Sequence, residues 1–178
     1  MKVIGTELYD KGFDSLIEDF MVLLKSSNDN LLISPSDANV LVNARTNLNF
    51  KRVLDQFYWN LPDGVPSVWV MKLKGSKTVS QCSGPEFFKK IIVETADMPV
   101  NHYLCGGAKG VSDNLKKVCN KWGNNNIVGT LSPPYKPINE LNLKDIEYIR
   151  NNNSDLVDKY LCKLYDLNYD DVLEIINR

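Results

Sequence analysis

Asp63 is the residue whose setting most favours chemistry. It lies between Pro62 and Gly64, directly after an amphipathic stretch. Proline fixes its own backbone angle and glycine adopts angles closed to other residues, so the aspartate is held in a defined bend. A carboxylate held in this way can serve as a positioned base. The alternative is that Pro-Asp-Gly is only a favourable turn tripeptide.

A glycine pair in the second half of the chain is a candidate phosphate contact. Gly106 and Gly107 follow a strand-like run and precede a helical pattern, and Lys109 adds a positive charge. Backbone N–H groups at the start of a helix can receive a phosphate. The motif is neither a P-loop nor a complete dinucleotide fingerprint, so a structural strand-to-helix turn is the alternative.

Two further motifs offer groups to a ligand. Gly129 ends a predicted strand and leads into a rigid Pro133-Pro134-Tyr135 loop that could wall a nucleotide pocket or act as a stiff connector. Ser34 and Ser36 follow an apolar run, and their hydroxyls suit either a hydroxylated ligand or the cap of the next helix.

Composition describes an ordinary globular chain. Its 178 residues suit one domain, and 21 basic side chains face 22 acidic ones, which gives no electrostatic preference for nucleic acid. With one histidine, His102, in a strand-like run, a Ser-His-Asp triad and a histidine-rich metal site are disfavoured. The four cysteines lack close pairing, as expected of buried thiols in a reducing compartment.

The apolar spacing predicts alternating helices and strands. The predicted strands are Lys2 to Gly5, Leu31 to Ile33, Tyr103 to Cys105, Asn126 to Gly129 and a short one at Asp155 to Val157. Two predicted helices span about Asn49 to Tyr58 and Val65 to Lys74. The other predicted helices start near Phe13, after the N-cap Asp37, and near Gly84, Val111, Lys144 and Tyr169. This alternation indicates an α/β fold: one Rossmann-like domain with a mainly parallel sheet flanked by helices. Ligands of such sheets lie beyond the carboxyl ends of strands, where Ser34, Gly106 and Gly129 are expected.

Taken in chain order, several motifs resemble those of one family. They are Leu32-Ile33-Ser34-Pro35-Ser36, Ala44-Arg45 with Asn47, Leu61-Pro62-Asp63-Gly64-Val65-Pro66, Ser83-Gly84-Pro85-Glu86-Phe87, Leu104-Cys105-Gly106-Gly107, and Val128-Gly129-Thr130 with Ser132-Pro133-Pro134. Their order and spacing are similar to those of the WecG/TagA/CpsF glycosyltransferases. The resemblance covers residues 1–157 and leaves residues 158–178 as a divergent tail.

The resemblance implies an inverting transfer of a sugar such as N-acetylmannosamine or glucuronic acid. The donor would be a UDP-sugar and the acceptor a polyprenyl-diphosphate-linked saccharide, in cell-surface polysaccharide synthesis, with no metal or other cofactor. Asp63 falls at the family's proposed base, and Ser34 stands where a threonine is usual. The implied substrate-binding residues are Ser34, Ser36, Asn39, Gly64, Gln81, Gly106, Gly107, Lys109, Gly129, Pro133, Pro134 and Tyr135.

The chain departs from the family pattern in several places. Ser36 replaces an asparagine, and Gln81 stands where an arginine often precedes the Ser-Gly pair, which removes a cationic contact to phosphate. The Gly-x-Pro-x-Gln-Glu motif and the arginine-rich appendage of the family are not found after Val157. A truncated, non-catalytic sugar-nucleotide-binding remnant is therefore one alternative, and an unrelated α/β interaction protein is another.

The expected location is the cytoplasm, with peripheral contact at the inner face of the membrane. The first residues lack the apolar run of a signal peptide, and no stretch approaches the ~20 apolar residues of a membrane span. The sequence does not determine the oligomeric state.

Overall fold

The computed structural model describes residues 1–26 and 31–133, and these form a mixed α/β arrangement as predicted. The chain divides into two compact units, Met1–Ile91 and a second that begins at Ile92, and each is described by itself. The predicted boundary between residues 157 and 158 lies outside the described residues, as do the predicted helices near Lys144 and Tyr169 and the strand at Asp155 to Val157. The single domain stays a prediction.

The first unit opens with a hairpin, where the sequence predicted one strand from Lys2 to Gly5. Strands β1 (Lys2–Val3) and β2 (Thr6–Glu7) pair antiparallel. The chain reverses between them because Ile4 and Gly5 both adopt positive φ, at 49° and 87°. Two such residues in succession make the tight turn that suits the twist of a hairpin.

A parallel strand pair and its helices follow in the first unit. The elements are α1 (Phe13–Ser26), β3 (Ile33–Ser36), α2 (Ala38–Thr46), α3 (Leu48–Leu54), β4 (Trp59–Pro62) and α4 (Val65–Leu73). β3 pairs with β4 in a register that runs from Ile33 opposite Trp59 to Ser36 opposite Pro62. The strand and helix predicted at Leu31 to Ile33 and at about Asn49 to Tyr58 are present with other bounds, since β3 starts at Ile33 and α3 ends at Leu54.

Two apolar clusters hold the first unit together. One contains Val3, Leu8, Leu41, Val68, Met71 and Val79, and the other contains Tyr9, Leu16, Leu61 and Cys82. Leu61 is fully buried in the middle of β4. Because strand β4 is anchored in this cluster, the chain leaves it for Pro62 and Asp63 from a fixed position.

The second unit repeats the parallel pairing. Helix α5 (Gly84–Glu94) crosses the boundary at Ile92 and is followed by β5 (His102–Cys105), α6 (Val111–Lys121) and β6 (Ile127–Leu131). β5 pairs parallel with β6. The buried Asn124 stabilises this unit, since its Nδ2 donates to the carbonyl of Ile92 at 2.7 Å and its Oδ1 accepts the N–H of Asn126 at 2.9 Å.

Parallel pairing was predicted and is confirmed for β3–β4 and β5–β6. Within residues 1–26 and 31–133, however, the strands form separate two-stranded sheets. Ser34 and Gly129 were placed at strand ends, and that placement was wrong: both lie inside strands, in β3 and β6 respectively. Gly106 does follow the last residue of β5.

Candidate active site

Asp63 lies at the carboxyl end of the β3–β4 pair. β4 ends at Pro62, which pairs with Ser36, so Asp63 leaves the pair at the edge where α2 begins beyond β3. Asp63 is half-buried. This is the edge at which parallel α/β pairs bind ligands.

Three hydrogen bonds fix Asp63. Its N–H donates to the carbonyl of Leu61 at 2.9 Å, and its own carbonyl accepts from Nε2 of Gln81 at 2.8 Å. Oδ1 accepts the N–H of Gly84, the first residue of α5, at 3.3 Å. In the part of the chain that the structure describes, no group donates to Oδ2. One carboxylate oxygen is therefore held and the other is available to a ligand.

Gly84 permits this approach of helix α5. A Cβ at this position would lie 2.9 Å from Cγ of Pro35, closer than real side chains come. A side chain there would push α5 away from the strand pair and lengthen the bond to Asp63. Asp63 also places its side chain at the amino end of α5, where the helix dipole is positive.

Two more helices start at this edge. Oδ1 of Asp37 accepts the N–H of Val40 at 2.9 Å, which confirms Asp37 as the N-cap of α2. Helix α4 starts after Gly64, which caps it without a side-chain hydrogen bond. A Cβ on Gly64 would lie 3.9 Å from the nitrogen of Ala38, so the two helix starts are neighbours.

The serines of β3 bond to each other and to Asn60. Oγ of the buried Ser36 lies 3.2 Å from Oγ of Ser34 and 3.5 Å from Oδ1 of Asn60. Neither serine caps α2, because Asp37 has that role. Asn39 is exposed in the first turn of α2. Asn60 and Gly84 were not among the predicted site residues, although the Ser-Gly-Pro-Glu motif contained Gly84.

In the second unit, a glycine-rich loop connects β5 to α6. Gly106, Gly107 and Gly110 all adopt positive φ, and the N–H of Gly106 donates to the carbonyl of Leu131 at 2.8 Å. Gly110 caps α6 without a side-chain hydrogen bond, and Lys109 is exposed. The loop therefore presents backbone N–H groups and a cation at the start of α6.

The end of β6 lies beside this loop. Oγ of Ser132 lies 3.0 Å from Oγ of the buried Ser112 and donates to the carbonyl of Ala108 at 3.2 Å. Ser112 was not predicted, although a serine in the first turn after a glycine-rich loop was an available signal; Ser132 was not named as a site residue, although the predicted Gly129 to Tyr135 loop contained it. Pro133 is the last described residue here, and the predicted Pro134 and Tyr135 lie outside the described residues.

Gly129 serves packing inside β6. A Cβ on it would lie 2.3 Å from Cε2 of Tyr103 on the neighbouring strand, so only glycine leaves room for that ring. Its role in the strand pair is thus steric, and a direct contact of Gly129 with a ligand stays a prediction.

The predicted residues divide between the units. Ser34, Ser36, Asn39, Asp63, Gly64 and Gln81 belong to the first unit, and Gly106, Gly107, Lys109, Gly129 and Pro133 belong to the second. Each group lies at or near the carboxyl edge of its own parallel pair. A cleft shared by Asp63 and the Gly106 loop stays a prediction.

Two other titratable groups are held in neutral form. Burial, followed by the charges of Glu86 and Asp63, raises the pKa of the Cys82 thiol to about 11, so Cys82 is not a thiolate nucleophile. Burial lowers the pKa of His102. Its Nε2 lies 2.7 Å from Oγ1 of Thr95, at the amino end of β5. Among the described residues, no group of three acidic, histidine or cysteine side chains could hold a metal ion.

A cavity of about 740 Å³ lies elsewhere in the first unit, at the amino end of β4. Its lining includes Tyr9, Asp19, Tyr58 and Trp59 and none of the predicted site residues. Burial, and then the hydrogen bond that Tyr9 donates to Asp19, raises the pKa of Tyr9. Asp63 is at the opposite end of the strand, so this cavity is not the candidate active site.

The chain belongs to the glycosyl transferase WecG/TagA/CpsF family, whose sequence pattern it matches over residues 1–157. Membership implies a glycosyltransferase of cell-surface polysaccharide synthesis. A comparison with individually curated proteins finds no match. Within the described ranges, no helix has the length and apolar character needed to span a bilayer.

Proposed function

We propose that this chain is an inverting glycosyltransferase in which Asp63 is the general base. Its donor is a UDP-sugar of the N-acetylmannosamine or glucuronic acid type, and its acceptor is a polyprenyl-diphosphate-linked saccharide. The observation that supports this most directly is the carboxylate of Asp63, held through Oδ1 by the N–H of Gly84 while Oδ2 accepts no bond from the described residues.

The reaction needs one proton acceptor. The acceptor hydroxyl attacks the anomeric carbon from the face opposite UDP, and its proton passes to Oδ2 of Asp63. The bond between the anomeric carbon and the UDP oxygen breaks, and its electron pair leaves with the diphosphate. An aspartate suits this role because it is ionised at neutral pH and is held within reach of a ligand at the strand edge.

The remaining predicted residues fit binding roles. The loop that begins at Gly106 and Gly107, with Lys109 and the chain from Gly129 to Tyr135, would hold the uridine diphosphate and stabilise its charge as it leaves. The N–H of Gly106 already donates to the carbonyl of Leu131, so the backbone contacts would come from the N–H groups that follow it. Asn39 and Gly64 lie at the same strand edge as Asp63 and would contact the sugars. Ser34 and Ser36 lie within β3 and Ser36 is fully buried, so the contact predicted for these serines would be made through Ser34. Gln81 positions Asp63 through its carbonyl, so its amide replaces a family arginine without supplying charge.

The acceptor also sets the location. A polyprenyl diphosphate is anchored in the membrane, so the proposed transfer takes place at its inner face, with the protein acting as a peripheral catalyst from the cytoplasm.

A transfer assay with matched aspartate variants tests the proposal. Radiolabelled UDP-N-acetylmannosamine and UDP-glucuronic acid are each offered with a saccharide linked to a short polyprenyl diphosphate. We expect Asp63→Asn to lower kcat roughly 10²- to 10⁴-fold, the contribution of general base catalysis. Asp37→Asn is the control, because asparagine caps a helix as well as aspartate does. Equal rates for wild type and Asp63→Asn would contradict the role of Asp63.

The second candidate is a sugar-nucleotide-binding protein without turnover. It is favoured by the neutral Gln81 in place of an arginine and by the capping contact of Asp63 with α5, which by itself would account for the aspartate. It predicts that UDP raises the melting temperature while neither donor is transferred. Transfer by the wild type excludes it.

A further inference from the structure

Helix α4 is apolar on two opposite sides. Val68 and Met71, with Ser67, are buried against the first unit. The outer side is also apolar, yet it faces solvent: Trp69 is 64% exposed and Leu73 is 88% exposed. Apolar faces of helices are normally covered, so the outer side of α4 has the character of a contact surface.

The exposed residues form one stripe. Val65, Trp69 and Leu73 follow each other at intervals of four residues and therefore lie above one another on the helix. Val70, 37% exposed, extends the stripe on one side. Single exposed apolar residues are ordinary, but a contiguous group that includes tryptophan indicates an interaction site.

The chain segment that carries this stripe has charges of one sign. Residues 64–85 contain no aspartate or glutamate, and they contain Lys72, Lys74 and Lys77. All three lysines are exposed, and in the described part of the chain none of them pairs with a carboxylate. Nζ of Lys74 donates to the carbonyl of Lys2 at 2.8 Å, which holds its charge beside the end of α4.

We propose that the stripe Val65, Trp69 and Leu73 docks α4 onto an anionic lipid surface. Tryptophan and leucine enter the boundary between head groups and acyl chains, and the lysines bind head-group phosphates, which is how interfacial helices attach. The lysines, none of which forms an ion pair within the described residues, match an anionic bilayer better than the mixed charges of an ordinary protein rim.

Docking through α4 also orients the candidate active site. The helix begins at Val65, two residues after Asp63, so a bilayer beneath α4 has Asp63 near its surface. The role of this docking rests on the proposed function, because only a lipid-linked acceptor requires Asp63 to lie near the bilayer. The docking itself is measured without any transfer.

Vesicle sedimentation tests the surface. The full chain is mixed with vesicles of phosphatidylcholine alone or with phosphatidylglycerol added. We expect binding to the anionic vesicles, and we expect Trp69→Ser with Leu73→Ser to weaken it on the order of tenfold or more. Lys72→Gln with Lys77→Gln should weaken it too and reduce its salt dependence. The control is Val22→Ser, because Val22 is also 64% exposed but lies on α1.

Several outcomes overturn the inference. These are no sedimentation of the wild type, unchanged binding by the Trp69 and Leu73 variant, and equal loss with Val22→Ser. A dimer in light scattering that Trp69→Ser dissociates would assign the stripe to a second copy of the chain. Asp63→Asn separates the two proposals, since it should bind vesicles like the wild type whether or not transfer is observed.

Discussion

At the scale of single residues, the two oxygens of the Asp63 carboxylate have different roles. Oδ1 is tied to the N–H of Gly84, and the Asp63 carbonyl is tied to Gln81. These contacts restrict Asp63 through one side-chain oxygen and its backbone carbonyl and leave Oδ2 without a donor among the described residues. A base restricted in this way keeps its direction, which proton abstraction requires.

His102 gives a pH dependence that can be assigned to one residue. Burial lowers its pKa from 6.5, so the unfolded chain takes up a proton at a higher pH than the folded chain does. The free energy of unfolding should therefore be highest above about pH 6.5 and fall as the pH drops through that value towards the lowered pKa of the folded state. Urea unfolding across this range measures the effect.

The control for this prediction is His102→Gln, which can still bond to Thr95 but does not titrate. Its unfolding free energy should vary less with pH than that of the wild type. Because the chain has one histidine, a single imidazole resonance in an NMR titration reports its pKa directly. A resonance that titrates above 6.5 would contradict the assigned direction of the shift.

At the scale of elements, the hairpin of β1 and β2 contains a residue poorly suited to its turn. Ile4 has a φ of 49°, which is costly for a β-branched side chain, and it is 48% exposed. Ile4→Asn should raise the free energy of unfolding by on the order of 1 kcal/mol, because asparagine followed by Gly5 suits this turn. Thermal and urea unfolding measure the change.

Ile4→Val is the matched control for the hairpin. Valine keeps the β-branch and hence the strain, so its stability should stay at or below that of the wild type. If valine stabilised the chain as much as asparagine did, the backbone angle of Ile4 would not be the cause.

At the scale of the whole molecule, the sequence predicted element types better than strand positions. Helices α1, α2, α4, α5 and α6 follow from apolar spacing and capping residues. Strand β4 was missed because Trp59–Pro62 is short and ends in a proline, which locally favours a turn. Its strand character comes from pairing with β3, a contact distant in the sequence.

In the candidate site, too, local sequence patterns predicted some residues, and contacts between distant parts of the chain determine the others. The Pro-Asp-Gly motif identified Asp63 from local chemistry, but Gly84 contacts Asp63 only because α5 packs against Pro35. Gly129 was interpreted as the end of a strand before a proline-rich loop, whereas it lies inside β6, where the ring of Tyr103 leaves no room for a side chain. Such steric requirements become visible only when the partner strand is in place.

Each unit has a buried cysteine that reports whether its core is closed. Cys82 is buried in the first unit and Cys119 in the second, while Cys105 is exposed, contrary to the prediction of buried thiols. In a Cys162→Ser background, N-ethylmaleimide should modify Cys105 first and the other two only on unfolding. Burial raises the pKa of all three thiols, and that of Cys82 to about 11. Mass spectrometry of peptides after a short pulse measures each site. Modification of native Cys82 as fast as Cys105 would show that the cluster anchoring Leu61, and with it Asp63, opens in the folded protein.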